Sequence, residues 1–337
     1  MITLTVNTDK QYPIIISNGW KDFPKMQKKG KKICIITDEN IAPYYLKEVK
    51  DLFKGAENVF SYQIPAGERS KSAEVYLNVL AFLAQKTFNR EDFLVALGGG
   101  VVGDLTGFVA STYMRGITYY QIPTTLLAMI DSSIGGKTGI DLPEGKNLVG
   151  TFYQPSAVYV NLNVLSTLPQ EEYQNGLGEL AKYALLSTTI SREDLTLPVT
   201  EELIAKCLKI KANVVENDEK ETGLRKLLNL GHTVGHAIEM LSCYSIPHGI
   251  CVAKGLLFTI EASAKYYAFS PEKKSEMLSV LQATNIDLSP LFSTKEILRA
   301  VVHDKKSKGE GVDFVCISEI GKCQTQFLTF QQLEELL

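Results

Sequence analysis

One segment limits the possible folds more than any other. The apolar run Phe93-Leu94-Val95-Ala96-Leu97 leads without interruption into Gly98-Gly99-Gly100-Val101-Val102-Gly103-Asp104, and a helical pattern follows. A β-branched strand, a turn of the form G-x-G-x-x-G and a helix make up half of a βαβ unit. The glycines let backbone approach a pyrophosphate, and the helix N-terminus offers free N–H groups and a positive dipole end. The helix is expected to begin near Gly103. The standard dinucleotide fingerprint also places an acidic residue about 20 positions on, at the end of the next strand. That strand ends instead in Gln121-Ile122-Pro123-Thr124-Thr125. A dinucleotide site of a non-standard kind is therefore expected, with Asp38 and the 67–71 segment (Gly-Glu-Arg-Ser-Lys) as candidate ribose contacts.

The rest of the N-terminal half has the same rhythm. Runs at 32–38, 58–65, 93–100, 117–123 and 157–162 read as strands, with helical spacing at 40–53, 70–85 (Ser70 as N-cap) and 102–112. From Pro169 helical periodicity takes over, at 170–187, 200–217, 232–241, 246–268 and 271–283, with a late hairpin at 311–318 and 323–329. The expected fold is α/β: a Rossmann-like parallel-sheet domain at 1–165 and a mostly α-helical domain at 166–337, with a cleft between them as the default site. The 337 residues carry 35 Lys plus Arg against 38 Asp plus Glu, so a net charge of −3 gives no reason to expect a nucleic-acid partner. Apolar stretches fall short of the roughly 18–20 residues of a membrane span. The first residues do not read as a signal peptide, and six Cys without a C-x-x-C pair read as reduced thiols, so the cytoplasm is expected.

Three of the four histidines, His232, His236 and His248, lie within 17 residues. On a helix His232 and His236 share one face at i, i+4, which suits a divalent metal, and Glu179 in an otherwise apolar helix is a candidate carboxylate ligand. The plainer alternative is histidines that cap or satisfy helix ends. Two His and one carboxylate with open positions would suit a Lewis-acid ion such as zinc. The segment 131–141 contains GGKTG, but a phosphate loop of the P-loop type needs Gly where Asp131 stands. Lys137, Lys146, Lys182, Lys211, Arg225 and the triplet Asp304-Lys305-Lys306 form a candidate set for an anionic small molecule, although each taken alone reads as a surface charge.

Taken together, GGGVVGD (98–104), DSSIGGKTGID (131–141), GLGELAKY (176–183), DEKETGLRKLLNLGHTVGHAIE (218–239) and HDKK (303–306) resemble 3-dehydroquinate synthase from about Asp38 to Lys306. The resemblance implies conversion of 3-deoxy-D-arabino-heptulosonate 7-phosphate to 3-dehydroquinate and phosphate, with NAD, Zn²⁺ or Co²⁺, and a homodimer. The implied sequence is oxidation at C5, elimination of phosphate, return of the hydride, ring opening and aldol closure. It also implies Glu179, His232 and His248 as metal ligands, replacing the pair that spacing favours, with His236 facing substrate. Asp131 and Lys211 would lie near the reacting hydroxyls. Lys137, Asn147, Lys182, Asn229 and one of Lys305 and Lys306 would surround the phosphate, and Arg225 the carboxylate end. Arg115 would reach a neighbouring subunit. NAD would meet Asp38, Glu68, Lys71, Gly99, Gly100, Val101, Asp104, Thr124, Thr125, Lys137 and Lys146. The stretch 187–200 is short for the family. Rival readings are a related sugar-phosphate cyclase, against which Asn229 and His236 argue, a metal-dependent polyol dehydrogenase, and a non-catalytic metal-binding module of the same architecture.

Overall fold

A computed structural model of the chain describes residues 1–24, 29–305 and 310–337, with side chains at all of these except 303–305. It divides into two compact units, Met1–Leu168 with Lys211–Glu216, and Pro169–Ile210 with Asn217–Leu337.

The first unit contains β1 (Ile2–Val6), β2 (Tyr12–Ser17), β3 (Lys32–Asp38), α1 (Ala42–Leu52), β4 (Asn58–Ile64), α2 (Ala73–Gln85), β5 (Phe93–Gly98), α3 (Gly100–Thr112), β6 (Thr118–Pro123), β7 (Lys137–Leu142), β8 (Gly145–Phe152) and β9 (Val158–Asn161). Seven strands form one sheet in the order β1-β2-β9-β6-β5-β3-β4, parallel except for β1, and β7 and β8 make a separate hairpin. The central strands are apolar on both faces, as a sheet covered on both sides requires. Ile33 and Ile35 of β3 join Phe93, Val95 and Leu97 of β5 against Val49 and Phe53 on one face. Cys34, Ile36, Leu94 and Ala96 meet Val79, Leu83, Leu105 and Val109 on the other. The period of two thus assigns α1 to one face and α2 and α3 to the opposite one.

Two local expectations are corrected. The N-cap of α2 is Ser72, whose side chain accepts from Val75 N, whereas Ser70 lies in a short 3₁₀ turn and donates its Oγ to the Pro65 carbonyl. Helix α3 starts at Gly100 rather than near Gly103, and the Gly103 amide already donates to the Gly99 carbonyl. The free amides of the glycine turn are therefore those of its first residues.

The second unit contains α4 (Gln170–Leu186), most of α5 (Glu201–Asn217), α6 (His232–Leu241), α7 (His248–Tyr266), α8 (Pro271–Ala283), α9 (Thr294–Lys305), the antiparallel hairpin β10 (Gly311–Glu319) and β11 (Lys322–Thr329), and α10 (Phe330–Leu336). Its core gathers Val234, Ile238, Cys251, Ile297, Val301, Phe314 and Leu333. Three close helix contacts depend on glycine. A Cβ on Gly178 of α4 would stand 1.9 Å from the Gly249 carbonyl oxygen of α7. One on Gly249 would stand 1.8 Å from the Asn175 carbonyl, and one on Gly255 would stand 2.1 Å from the Gly231 carbonyl at the start of α6. Helices α4, α6 and α7 approach backbone to backbone, and these helices carry Glu179, His232 and His248.

Candidate active site

In the second unit the three candidate ligands converge. Glu179 is buried, and its Oε1 lies 3.1 Å from Nε2 of His248 and 3.4 Å from Nε2 of His232. One donor atom from each falls within 4.8 Å of the others, the compactness a single ion needs. Glu179 Oε2 stands 2.5 Å from Nζ of Lys182, an ion pair one helical turn away and almost wholly buried. Burial opposes ionisation of Glu179, but the Lys182 ammonium and the two imidazoles outweigh it and hold the carboxyl well below the usual range. Burial alone would lower the pKa of His248, yet hydrogen bonds to Glu179 and Glu239 raise it to about 10. A buried anionic oxygen facing two imidazole nitrogens fits a divalent cation by the chemistry of the donor set.

The pair favoured by spacing does share a face, with ring centroids 5.3 Å apart. Of the two, His232 is nearly buried and faces Glu179, while His236 is about half exposed. The other imidazole at Glu179 comes from α7. In the same unit, Arg225 is buried and donates Nη1 to the Glu219 carbonyl, and Asn229 donates Nδ2 to Glu221. Asp218 accepts from the amides of Thr222, Gly223 and Arg225, fixing the turn that carries Arg225.

In the first unit, Gly99 and Gly100 are partly exposed and their α-carbons back onto Thr125 and Ser132, where a Cβ would come within 3.0 and 3.2 Å of side-chain atoms. The partly exposed Val101 is the next residue of α3. Thr124 is buried, with a hydroxyl that finds no hydrogen-bond partner, and Thr125 Oγ1 accepts from the Ala128 amide. Bare backbone at a helix start beside an unsatisfied hydroxyl fits a polar, phosphate-bearing ligand such as a dinucleotide. Asp38 accepts from the amides of Asn40 and Ile41, so it also organises the entry to α1.

Lys71 is the hub of the neighbouring network. Its buried ammonium lies 2.9 Å from Asp104, 2.5 Å from Asn147 Oδ1 and 3.6 Å from Glu68, while Lys146 lies 3.8 Å from Glu68. Burial would lower the Lys71 pKa, but the carboxylates of Asp104, Glu68 and Asp141 raise it. Asn147, with φ +56°, donates its amide to Asp141. It thus stands beside residues that the resemblance gives to NAD, although the resemblance gives Asn147 itself to the phosphate. Lys211, in the part of α5 that belongs to this unit, pairs with Asp131 through both its carboxylate and its carbonyl. Lys137 and Arg115 are exposed, Arg115 in a turn with φ +65°. Lys306 and the side chains of Asp304 and Lys305 lie outside the described residues. Spacing also passed over Glu239, a buried carboxylate in the mostly apolar stretch 234–241, and the glycines that bring α4, α6 and α7 together.

Residues 61–175 match the family model for the 3-dehydroquinate synthase N-terminal region, and residues 176–307 the one for its C-terminal region. The 3-dehydroquinate synthase of Latilactobacillus sakei subsp. sakei (strain 23K) is 40% identical, covering 96% of this chain and 94% of that protein. The chain belongs to the 3-dehydroquinate synthase family. A second 3-dehydroquinate synthase, from Pelobacter propionicus (strain DSM 2379 / NBRC 103807 / OttBd1), is 37% identical over 99% of this chain and 98% of its own. The fold is that of a crystallised 2-deoxy-scyllo-inosose synthase bound to carbaglucose-6-phosphate, NAD⁺ and Co²⁺, with TM-score 0.90, 23% identity and 99% of each chain covered. As in a Rossmann-like α/β fold, parallel strands and helices alternate in the N-terminal part of this 3-dehydroquinate synthase family member. Among the described residues no helix is long and apolar enough to cross a membrane.

Proposed function

We propose that the chain catalyses conversion of 3-deoxy-D-arabino-heptulosonate 7-phosphate to 3-dehydroquinate and phosphate, in the shikimate route to aromatic amino acids. The observation that carries this reading is identity of 37–40% to two 3-dehydroquinate synthases over almost the whole chain. The convergence of Glu179, His232 and His248 supports it. When bound, NAD supplies a transient hydride acceptor and the divalent ion, Zn²⁺ or Co²⁺, a Lewis acid for substrate oxygens.

The chain's own residues account for the rest. Glu179, His232 and His248 hold the ion, and Lys182 keeps Glu179 ionised as a ligand. Asp131 and Lys211, already paired, present a carboxylate and an ammonium to hydroxyls and exchange protons with them. Lys137, Asn147, Lys182 and Asn229 neutralise and orient the phosphate, and Arg225 the substrate carboxylate. His236, near the ligands but exposed, positions substrate or moves a proton. Glycines 99 and 100 with Val101 offer backbone to the dinucleotide pyrophosphate, and Asp38, Glu68, Lys71, Asp104, Thr124, Thr125, Lys137 and Lys146 complete its surroundings. Arg115 reaches a second copy in a homodimer, and the enzyme works in the cytoplasm.

The test is to incubate the protein with the heptulosonate phosphate, NAD and Zn²⁺ while following phosphate, dehydroquinate and NADH together. Many phosphates per chain with NADH near baseline, and retention of a deuterium label at C5, are expected. One NADH per product would instead assign a dehydrogenase.

A further inference from the structure

The two imidazoles at Glu179 are held from behind in different ways. Each presents Nε2 to Glu179 Oε1. Nδ1 of His232 lies 3.1 Å from the Leu230 carbonyl, whereas Nδ1 of His248 lies 3.2 Å from Oε2 of Glu239. Glu239 is only 4% exposed and sits on α6 seven residues after His232, between apolar Val234, Ala237 and Ile238 on one side and Met240 and Leu241 on the other. A carboxylate is costly at such a position unless a partner needs it. His236 Nε2 lies 4.0 Å from the same oxygen, so one donor atom each from Glu239, His236 and His248 also falls within 4.8 Å of the others.

We propose that Glu239 is a positioning residue for the metal centre. It accepts the Nδ1–H of His248 and so fixes the tautomer that leaves Nε2 to bind the ion. It also makes this imidazole a more basic ligand than His232, whose Nδ1 meets a neutral carbonyl. Helix α6 then contributes twice: a ligand directly, and the orientation of a ligand on α7. The inference rests on the reading that Glu179, His232 and His248 hold the ion.

The experiment compares Glu239→Ala, Glu239→Gln and His232→Ala, each stripped of metal, by Co²⁺ titration against a chromophoric chelator. The Co²⁺ absorption spectrum and the melting temperature of the metal-free protein are recorded alongside. Glu239→Ala is expected to weaken Co²⁺ binding about 10- to 100-fold and to shift the visible band. Glu239→Gln, whose amide oxygen still accepts but carries no charge, is expected to lose less. A merely structural role would lower melting without moving the spectrum of the folded, loaded protein, and that result overturns the proposal. So does wild-type affinity in both Glu239 variants, or a second tightly bound ion lost with Glu239, which would make it a ligand. If the alanine variant does not fold, the glutamine variant decides alone. Unchanged Co²⁺ affinity in His232→Ala would overturn the ligand set itself, whereas loss there with no effect at Glu239 overturns only the positioning role.

Discussion

Replacing Gly178 by Ala tests how the proposed metal cluster is held together. The added methyl would lie 1.9 Å from the Gly249 carbonyl oxygen and 2.5 Å from its carbon, and both atoms belong to backbone that cannot rotate away. Reaching ordinary contact requires α4 and α7 to part locally by roughly 1.5 Å. Glu179 follows Gly178 and His248 precedes Gly249, so the strain falls on the 3.1 Å approach of Glu179 to His248. Zinc ligands tolerate only about 0.2 Å of departure from their usual distances, so the separation should lower metal affinity at least as far as loss of an orienting partner does, about 10- to 100-fold. Overpacking costs about 1–3 kcal/mol and the gain in helix propensity offsets about 1. The net cost of about 0–2 kcal/mol is therefore expected to lower the melting temperature of the metal-free protein by at most about 3 °C. Circular dichroism melting of stripped protein and Co²⁺ competition against a chelator measure the two effects separately. A Gly178→Ala variant that melts at or above wild type and binds Co²⁺ equally well would refute the claim that backbone contact sets the ligand geometry.

Three further outcomes are expected. His236→Ala should keep one tightly bound ion by elemental analysis while turnover falls about 10²- to 10⁴-fold; loss of the ion would restore the His232–His236 pair favoured by spacing. The amides of Arg225, Thr222 and Gly223 hold the Asp218 carboxyl below its usual range. Its stabilisation is thus complete above the unfolded value near 4 and is lost as pH falls toward the folded value. The gap in melting temperature between wild type and Asp218→Asn should be wide at pH 6–7 and narrow below about pH 4, and a gap constant down to pH 3 would contradict this. Mixed dimers of inactive Arg115→Ala and inactive Lys137→Ala chains should regain activity if Arg115 serves the partner's site, and verified heterodimers without activity would place it elsewhere.

Where packing follows from local pattern, sequence and structure agree. The β-branched runs of β3 and β5 alternate sides cleanly, and α6 and α8 begin and end where periodicity put them. The hairpin of β7 and β8 escaped, because KTGIDL and GKNLVGTF have few β-branched residues and leave Leu148 and Phe152 in solvent. The short α10 was also missed, since one buried residue, Leu333, is too little to establish a period. At the candidate site, i, i+4 spacing identified a real shared face but did not select His248, which α7 brings to Glu179. That contact arises from glycines on α4 and α7, and a glycine in a helix carries no period of its own. The same limit hid Glu239, whose partner is nine residues away across a turn.

Sheet order has a consequence for synthesis. Strand β2 takes its parallel neighbour from β9, with Ile14 aligned to Val158, so the β1–β2 hairpin has no permanent place until roughly 140 further residues have been made. At 5–20 residues per second the wait is about 7–30 s, far longer than the microseconds in which a hairpin forms. Throughout it the edge of β2 that later pairs with β9 stays open, carrying Ile14, Ile15 and Ile16. A ribosome stalled before residue 158 would therefore hold a chain with a sticky, unpaired strand, the kind of nascent surface that chaperones recognise.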